Sequence, residues 1–329
     1  MKPQETDNTR FWSKVKWMPR PIATPLAYYL NVFPLDMSQF ANVLQSTRIP
    51  QEGKDIIQRF PHSKHLVVLH KGRIFSFEAL DSEGNLREPS YYLSVINTIL
   101  QHGHTGGQSQ GIGALTSADR DSWTKARNRL VALGNEALLE EIDSAIITIC
   151  LDDWEHDEEN PERAVTELCC GSNPSNRWFD KSVSMIFSQN GLLGINFEHA
   201  WGDGVAVMRL CNEVIEDSLK NNHDFSGGRP EYAQSAVKEL IFNMDEGVTE
   251  AIEYAKNDHL SRLRQVEFKS FLRLGFGKQD CKKAKIGPDA VMQLGFQLAS
   301  LYLSPGTFVP TYESCSTAGE YADAQETFS

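Results

Sequence analysis

An imidazole and a carboxylate four residues apart, His199 and Asp203, stand in the run Asn196-Phe-Glu-His-Ala-Trp-Gly-Asp-Gly204. A histidine that ends a strand and precedes a glycine-rich turn is placed where a sheet edge meets a crevice. There it can take the proton of a hydroxyl so that the oxygen attacks an acyl carbonyl, a step that general-base catalysis accelerates by about 10² to 10⁴. Asp203 would hold the ring orientation or pin the loop, and a purely structural histidine is the competing reading. A second group is Lys278, Lys282, Lys283 and Lys285, opposed only by Asp280, just before a helix expected to begin at Pro288. Lysine charges and the free N–H groups of a helix N-terminus favour phosphate; an ordinary solvated basic turn is the alternative. A general base and a phosphate pocket together suggest an acyl donor carrying phosphates, with coenzyme A as the obvious candidate, bound as co-substrate and not as a tightly held cofactor.

Weaker patterns compete with these. Gly107-Gln-Ser109-Gln-Gly111 fits the GxSxG hydrolase pattern, but that nucleophile needs a strand before it and a helix after it, and His102-Gly-His-Thr-Gly-Gly supplies a loop. His102 with His104, or His62 with His65, lacks the second spaced pair that a zinc site needs, so no metal is expected. Seven acids and a proline between Asp152 and Glu162 read as a solvated loop, His156 included.

The elements that must position these groups follow from hydrophobic patterning. His65 to His70 and Arg73 to Leu80 are predicted strands joined at Lys71-Gly72, and a helix follows Pro89. Helices are expected from about Asp121 to Ser144, interrupted near Gly134, then a buried strand over Ala145 to Leu151. Lys181 to Ser188 and Leu192 to Glu198 form the clearest hairpin, turning at Asn190-Gly191. Helical spacing follows at Val207, Leu210 and Val214, and Asn221 to Pro230 reads as a linker. Beyond a boundary near residue 240 come a helix through about Arg262, a strand from Gln265 to Leu272, a lysine-rich turn and the helix from Pro288.

Composition bounds the class. At 329 residues, 40% hydrophobic and 23% charged, the chain has the make-up of a folded protein with room for about two domains. A formal charge of −12 argues against a surface built to neutralise nucleic acid. Cysteines at 150, 169, 170, 211, 281 and 315 show no CxxC pair, as in a reducing compartment. No targeting peptide is recognised at the N-terminus. Residues 8–35 hold Arg10, Lys14, Lys16 and Arg20 and no acid, interleaved with Phe11, Trp12, Trp17, Tyr28 and Tyr29. That mixture suits a membrane interface. A partly buried arm broken by Pro19, Pro21 and Pro25 is the other possibility.

Several blocks together resemble the carnitine/choline acyltransferase family: Phe33-Pro-Leu-Asp-Met-Ser-Gln39, Ser46-Thr-Arg48-Ile-Pro50, Leu115-Thr-Ser117 with Arg120 and Trp123, Asn176-Arg-Trp-Phe-Asp-Lys-Ser182, Phe197 to Gly204, Lys278 to Ala290 and Thr311-Tyr-Glu-Ser-Cys-Ser-Thr317. The resemblance runs from about residue 1 to 318. It implies an α/β fold of the chloramphenicol-acetyltransferase type, with two related mixed-sheet domains, both incomplete here. The expected division is a partial N-terminal catalytic domain over 1–240, a partial C-terminal domain over 241–318 and a divergent tail over 319–329. The resemblance makes His199 the general base toward the carnitine hydroxyl, with Asp203 beside it. Lys278, Lys282, Lys283, Lys285 and Asp289 fall on the coenzyme A segment, and Tyr312 and Ser314 on carnitine-contacting positions. It further implies long-chain acyl-CoA and carnitine as partners, and peripheral contact of residues 10–35 with the matrix side of the mitochondrial inner membrane. After Ala318 the chain departs from the family pattern, which continues with a basic segment and a GRTET-like motif. A catalytically inactive fragment that keeps coenzyme A binding or membrane contact is therefore the alternative from a different class.

Overall fold

The computed structural model describes residues 38–102, 109–221, 235–270 and 275–303, with Pro19 and Ile22. Residues 37–270 form one compact unit, and residues 1–36 with 271–329 form another. The first continues past residue 240 and contains the histidine; the second contains the lysines.

The larger unit is built on a mixed six-stranded sheet in the order β7-β6-β5-β3-β4-β8. Its strands are β3 (His65–His70), β4 (Arg73–Glu78), β5 (Thr148–Leu151), β6 (Val183–Phe187), β7 (Leu193–Phe197) and β8 (Lys238–Glu239). β3, β5 and β6 run parallel, whereas β3–β4 and β6–β7 are antiparallel hairpins. The β3–β4 turn uses positive φ at both Lys71 and Gly72, the twist a two-residue hairpin requires. A separate antiparallel pair, β1 (Ser46–Ile49) and β2 (Ile56–Arg59), touches the region before β6 through a bridge between Thr47 and Lys181. This is the mixed α/β class that the resemblance implies.

Alternation along the central strands decides which helices cover which face. Val67, Leu69 and Ile74 point into a core shared with α2 (Arg120–Ala132), α3 (Glu136–Ser144) and α6 (Glu246–Leu263). Trp123 and Trp178 meet there edge to face with centroids 6.0 Å apart. Val68, Phe75 and Phe77 point the other way, onto Val95 and Ile99 of α1 (Pro89–His102). A third cluster of Val43, Val183, Trp201, Ala206 and Val207 lies under the β6–β7 edge and α5 (Gly204–Lys220). Helix starts follow their caps: Asp119 accepts from the Ser122 N–H, and Asp245 from the Val248 N–H, each at 2.9 Å. Asn160, followed by Pro161, opens α4 (Pro161–Cys169).

Three sequence expectations are corrected. Residues 265–270 form no strand, because the Gln265 and Val266 N–H groups close the last turns of α6 on Arg262 and Leu263. The end of that predicted strand, and the Asn221–Pro230 linker beyond Asn221, lie outside the described residues. The acidic run is not solvated throughout: the Asp152 side chain is only 7% exposed, in an ion pair with buried Arg177 at 2.7 Å. The lysine-rich stretch is not a turn, since Lys278–Lys283 forms a short helix, α7.

Next to β6 the fold buries an amine. Lys181 donates to the Asp143 carbonyl at 2.7 Å beside the Arg127–Asp143 pair, and burial pulls its pKa from 10.5 down to about 7. Because the folded value lies below the unfolded one, the unfolded chain holds an extra proton between about pH 7 and 10.5, so stability rises with pH across that window. Urea titrations from pH 7 to 9.5 are expected to show wild type gaining on the order of 1 kcal/mol per pH unit relative to Lys181→Met; parallel curves would overturn the assignment.

Candidate active site

β7 delivers the histidine. Its last residue, Phe197, pairs with Val183, and the Glu198 N–H still reaches the Ser182 carbonyl at 3.2 Å. The chain then leaves the sheet in a turn over His199 and Ala200. The imidazole stacks at 33° over Phe197, with centroids 5.4 Å apart. Phe197 in turn meets Trp201 edge-on at 6.2 Å. Trp201 is buried and donates its indole N–H to the Ser182 carbonyl at 2.9 Å. One side of the turn is thus anchored in the core while the histidine side chain remains 75% exposed.

Asp203 closes the turn as the N-cap of α5, its Oδ1 accepting the Gly204 N–H at 2.6 Å. The same oxygen lies 4.0 Å from His199 Nε2, an ion-pair distance for a protonated ring and too long for a hydrogen bond. Of the two roles open to Asp203 in the sequence, loop pinning is the one its hydrogen bond fulfils. The Asp203 N–H is held by Gln39 Oε1 at 2.8 Å. Gly202 permits that approach, because a Cβ there would stand 3.2 Å from the same oxygen.

Two side chains that brace the histidine turn were not visible in the sequence. Glu198 Oε1 accepts the Ala200 N–H at 2.9 Å and the Arg48 Nη1–H at 3.3 Å, bracketing the histidine. Arg48 Nε also donates to Asp55 at 2.7 Å. Both arginine and glutamate lie in blocks that carried the family resemblance, but they are 150 residues apart. No spacing rule could have paired them.

The remaining candidates are placed individually. Lys278, Lys282 and Lys283 lie on α7, and Lys285 follows it with φ of +58°. Asp280 accepts the Gly277 N–H at 2.9 Å and so closes the start of α7. Asp289 is in the first turn of α8 (Pro288–Leu303). Tyr312, Ser314 and the basic aromatic segment apart from Pro19 and Ile22 lie outside the described residues. The Ser109 hydroxyl donates to the Gly72 carbonyl at 3.0 Å, and a 3₁₀ helix over Ile112–Ser117 follows it in place of the α-helix that the hydrolase pattern needs. His65 Nε2 is taken by the Glu141 carbonyl and His102 Nδ1 by that of Thr98. Among the described residues no three His, Cys, Asp or Glu side chains gather as a metal site, and no helix is long and apolar enough to cross a membrane.

The structure thus places an exposed histidine on a braced turn at the edge of the mixed sheet, and comparison with known proteins gives the family of the chain. The choline/carnitine O-acyltransferase family model matches residues 9–321. Mouse and human mitochondrial carnitine O-palmitoyltransferase 2 are each 35% identical over 97% of this chain and 48% of their own length. Bovine peroxisomal carnitine O-octanoyltransferase is 32% identical over 89% of this chain and 49% of its own. The chain belongs to the choline/carnitine O-acyltransferase family. It spans about half the length of the curated relatives it matches.

The contrast between ring and frame is measurable. His199→Ala is expected to change unfolding free energy by no more than about 0.5 kcal/mol, as for exposed positions generally. Trp201→Ala is expected to cost about 3–5 kcal/mol. Urea denaturation of both variants checks this, and a large loss for His199→Ala would make the histidine structural.

Proposed function

We propose that this chain carries the acyl-transfer centre of a carnitine O-acyltransferase of the long-chain, palmitoyl type, with His199 as general base. The observation that carries the reading is an exposed imidazole on a turn whose neighbouring residues are all engaged: Phe197 beneath it, Glu198 and Ala200 hydrogen-bonded beside it, Trp201 buried behind it. Its free face is available to substrate, and its position is not left to chance.

In the reaction proposed, a ring nitrogen of His199 takes the proton of the carnitine hydroxyl as that oxygen attacks the thioester carbonyl. The tetrahedral intermediate collapses with cleavage of the C–S bond. The coenzyme A thiolate then recovers the proton from the imidazolium, and acylcarnitine and free coenzyme A leave with no covalent acyl-enzyme. Asp203, at ion-pair distance, would stabilise the transient imidazolium. Lys278, Lys282, Lys283 and Lys285 would meet coenzyme A phosphates, Asp289 the pantetheine or adenosine end, and Tyr312 and Ser314 carnitine.

The long-chain preference is supported by relatives named carnitine O-palmitoyltransferase 2, whereas the relative named for octanoyl transfer supports a medium-chain substrate less strongly, at 32% against 35% identity. The mitochondrial designation of the former supports a place in fatty-acid transport for β-oxidation. Contact of residues 10–35 with the inner membrane, on its matrix side, is part of the same reading.

The test is carnitine-dependent release of coenzyme A thiol from palmitoyl-CoA and octanoyl-CoA by the purified chain, beside His199→Ala. Release that is faster for palmitoyl-CoA and falls by about 10² to 10⁴ in the variant is expected. A folded chain that binds coenzyme A but releases no thiol would overturn the catalytic reading and leave a binding remnant.

A further inference from the structure

Five charged side chains alternate in sign from the buried core to the histidine turn. Trp123 Nε1–H donates to Asp180 Oδ2 at 2.7 Å, and Arg120 Nη1–H donates to Asp180 Oδ1 at 2.7 Å. Arg120 Nε–H and Arg48 Nε–H converge on Asp55 Oδ2 at 2.6 and 2.7 Å. Arg48 Nη1–H then reaches Glu198 Oε1, the oxygen that also holds the Ala200 N–H. The backbone runs along with the side chains: the Arg48 N–H donates to the Asp180 carbonyl at 2.9 Å. Among its carboxylates, exposure falls from 16% at Glu198 through 11% at Asp55 to 3% at Asp180.

At its inner end the line satisfies the buried Trp123 indole, and at its outer end it reaches Glu198, the carboxylate that brackets His199. We propose that Arg48 is a positioning residue for the reaction, holding Glu198 over the 198–200 turn and thereby fixing where the imidazole stands. The proposal rests on the reading of His199 as general base. Arg48 touches neither ring nor substrate in it; its planar fork serves Asp55 with one nitrogen and Glu198 with another, which a lysine ammonium on a flexible stem cannot reproduce. The pair is partly buried, at the outer end of the line. Its effect is local, on how often the turn opens.

Two readouts separate positioning from general stabilisation, and both use the whole chain. Amide hydrogen exchange at Ala200 is expected to quicken about 10-fold in Arg48→Lys and Arg48→Met, as for loss of a charge-assisted support, while the amides of the β6–β7 ladder keep their wild-type rates. In a Glu198→Ala background, where the Ala200 N–H has already lost its acceptor, Arg48→Met is expected to add nothing further. In the thiol-release assay Arg48→Lys is expected to lower kcat about 10-fold with KM for palmitoyl-CoA unchanged. Unchanged Ala200 exchange in both arginine variants overturns the proposal. So does an equal effect of Arg48→Met with or without Glu198, or a uniform quickening across β6 and β7. Should Arg48→Met fail to fold, Glu198→Gln, which keeps the amide acceptor and removes the charge Arg48 pairs with, gives the same decision at Ala200. Wild type without carnitine-dependent turnover would defeat the catalytic reading, whereas the exchange experiment would still decide whether Arg48 holds the turn.

Discussion

A buried carboxylate organises the larger unit. Asp180 is nearly inaccessible, and desolvation pushes its pKa up to about 6, against the pull of the Arg120 guanidinium and the Trp123 N–H. Its carbonyl oxygen accepts from the Arg48 N–H and from Thr47 Oγ1. One residue therefore ties β1, α2 and the approach to β6. Taking out Arg120 would leave the Asp180 carboxylate buried without its cation, which is costlier than removing both. The segment that follows this knot inherits its position: Lys181 and Ser182 come directly after it, the Ser182 carbonyl accepts the Trp201 indole N–H, and Trp201 backs the histidine turn.

The same arrangement explains a division of labour. The frame is buried and hydrogen-bonded at Trp123, Asp180 and Trp201, whereas the histidine proposed as base is exposed. A base near the operating pH works by proton exchange with substrate, so a ring sealed in the core would be held well and reach nothing. Here the stacking on Phe197, the cap of Asp203 and the Glu198 bracket constrain the backbone on both sides and leave the ring face open. Constraint is spent on the main chain, and access is kept for the side chain.

Much of this was legible in the amino-acid sequence, and the pattern of what was not is physical. The β3–β4 and β6–β7 hairpins, the α2–α3 break at Gly134 and the helix from Pro288 are written in local signals: alternation, glycine in turns, a proline at a helix start. The position of His199 just past β7 followed from the same signals. Local signals failed where long-range partners took over. Residues 265–270 have a strand-like composition, but their first N–H groups are consumed by the end of α6 and Ser270 donates to Glu162. Asp152 looked like one more member of an acidic run until Arg177, 25 residues on, claimed both its oxygens. The Arg48–Glu198 and Arg120–Asp55 pairs span 150 and 65 residues, beyond any helical or strand periodicity.

The blocks that carried the family resemblance are, for the most part, not reagents. Asn176, Arg177, Trp178, Asp180, Lys181 and Ser182 are all buried, and each polar one among them has a hydrogen bond to the main chain or to another buried group. Arg48, Arg120 and Trp123 belong to the same brace. A single exposed imidazole carries little information by itself, since lone histidines abound on protein surfaces. What distinguishes this one is the costly machinery behind it: buried charges that must be paired and a tryptophan whose N–H must be satisfied. On the proposed reading of His199 as general base, such a frame would place the reacting nitrogen to a fraction of an ångström, because an error of about 1 Å at the reacting centre can forfeit two orders of magnitude in rate.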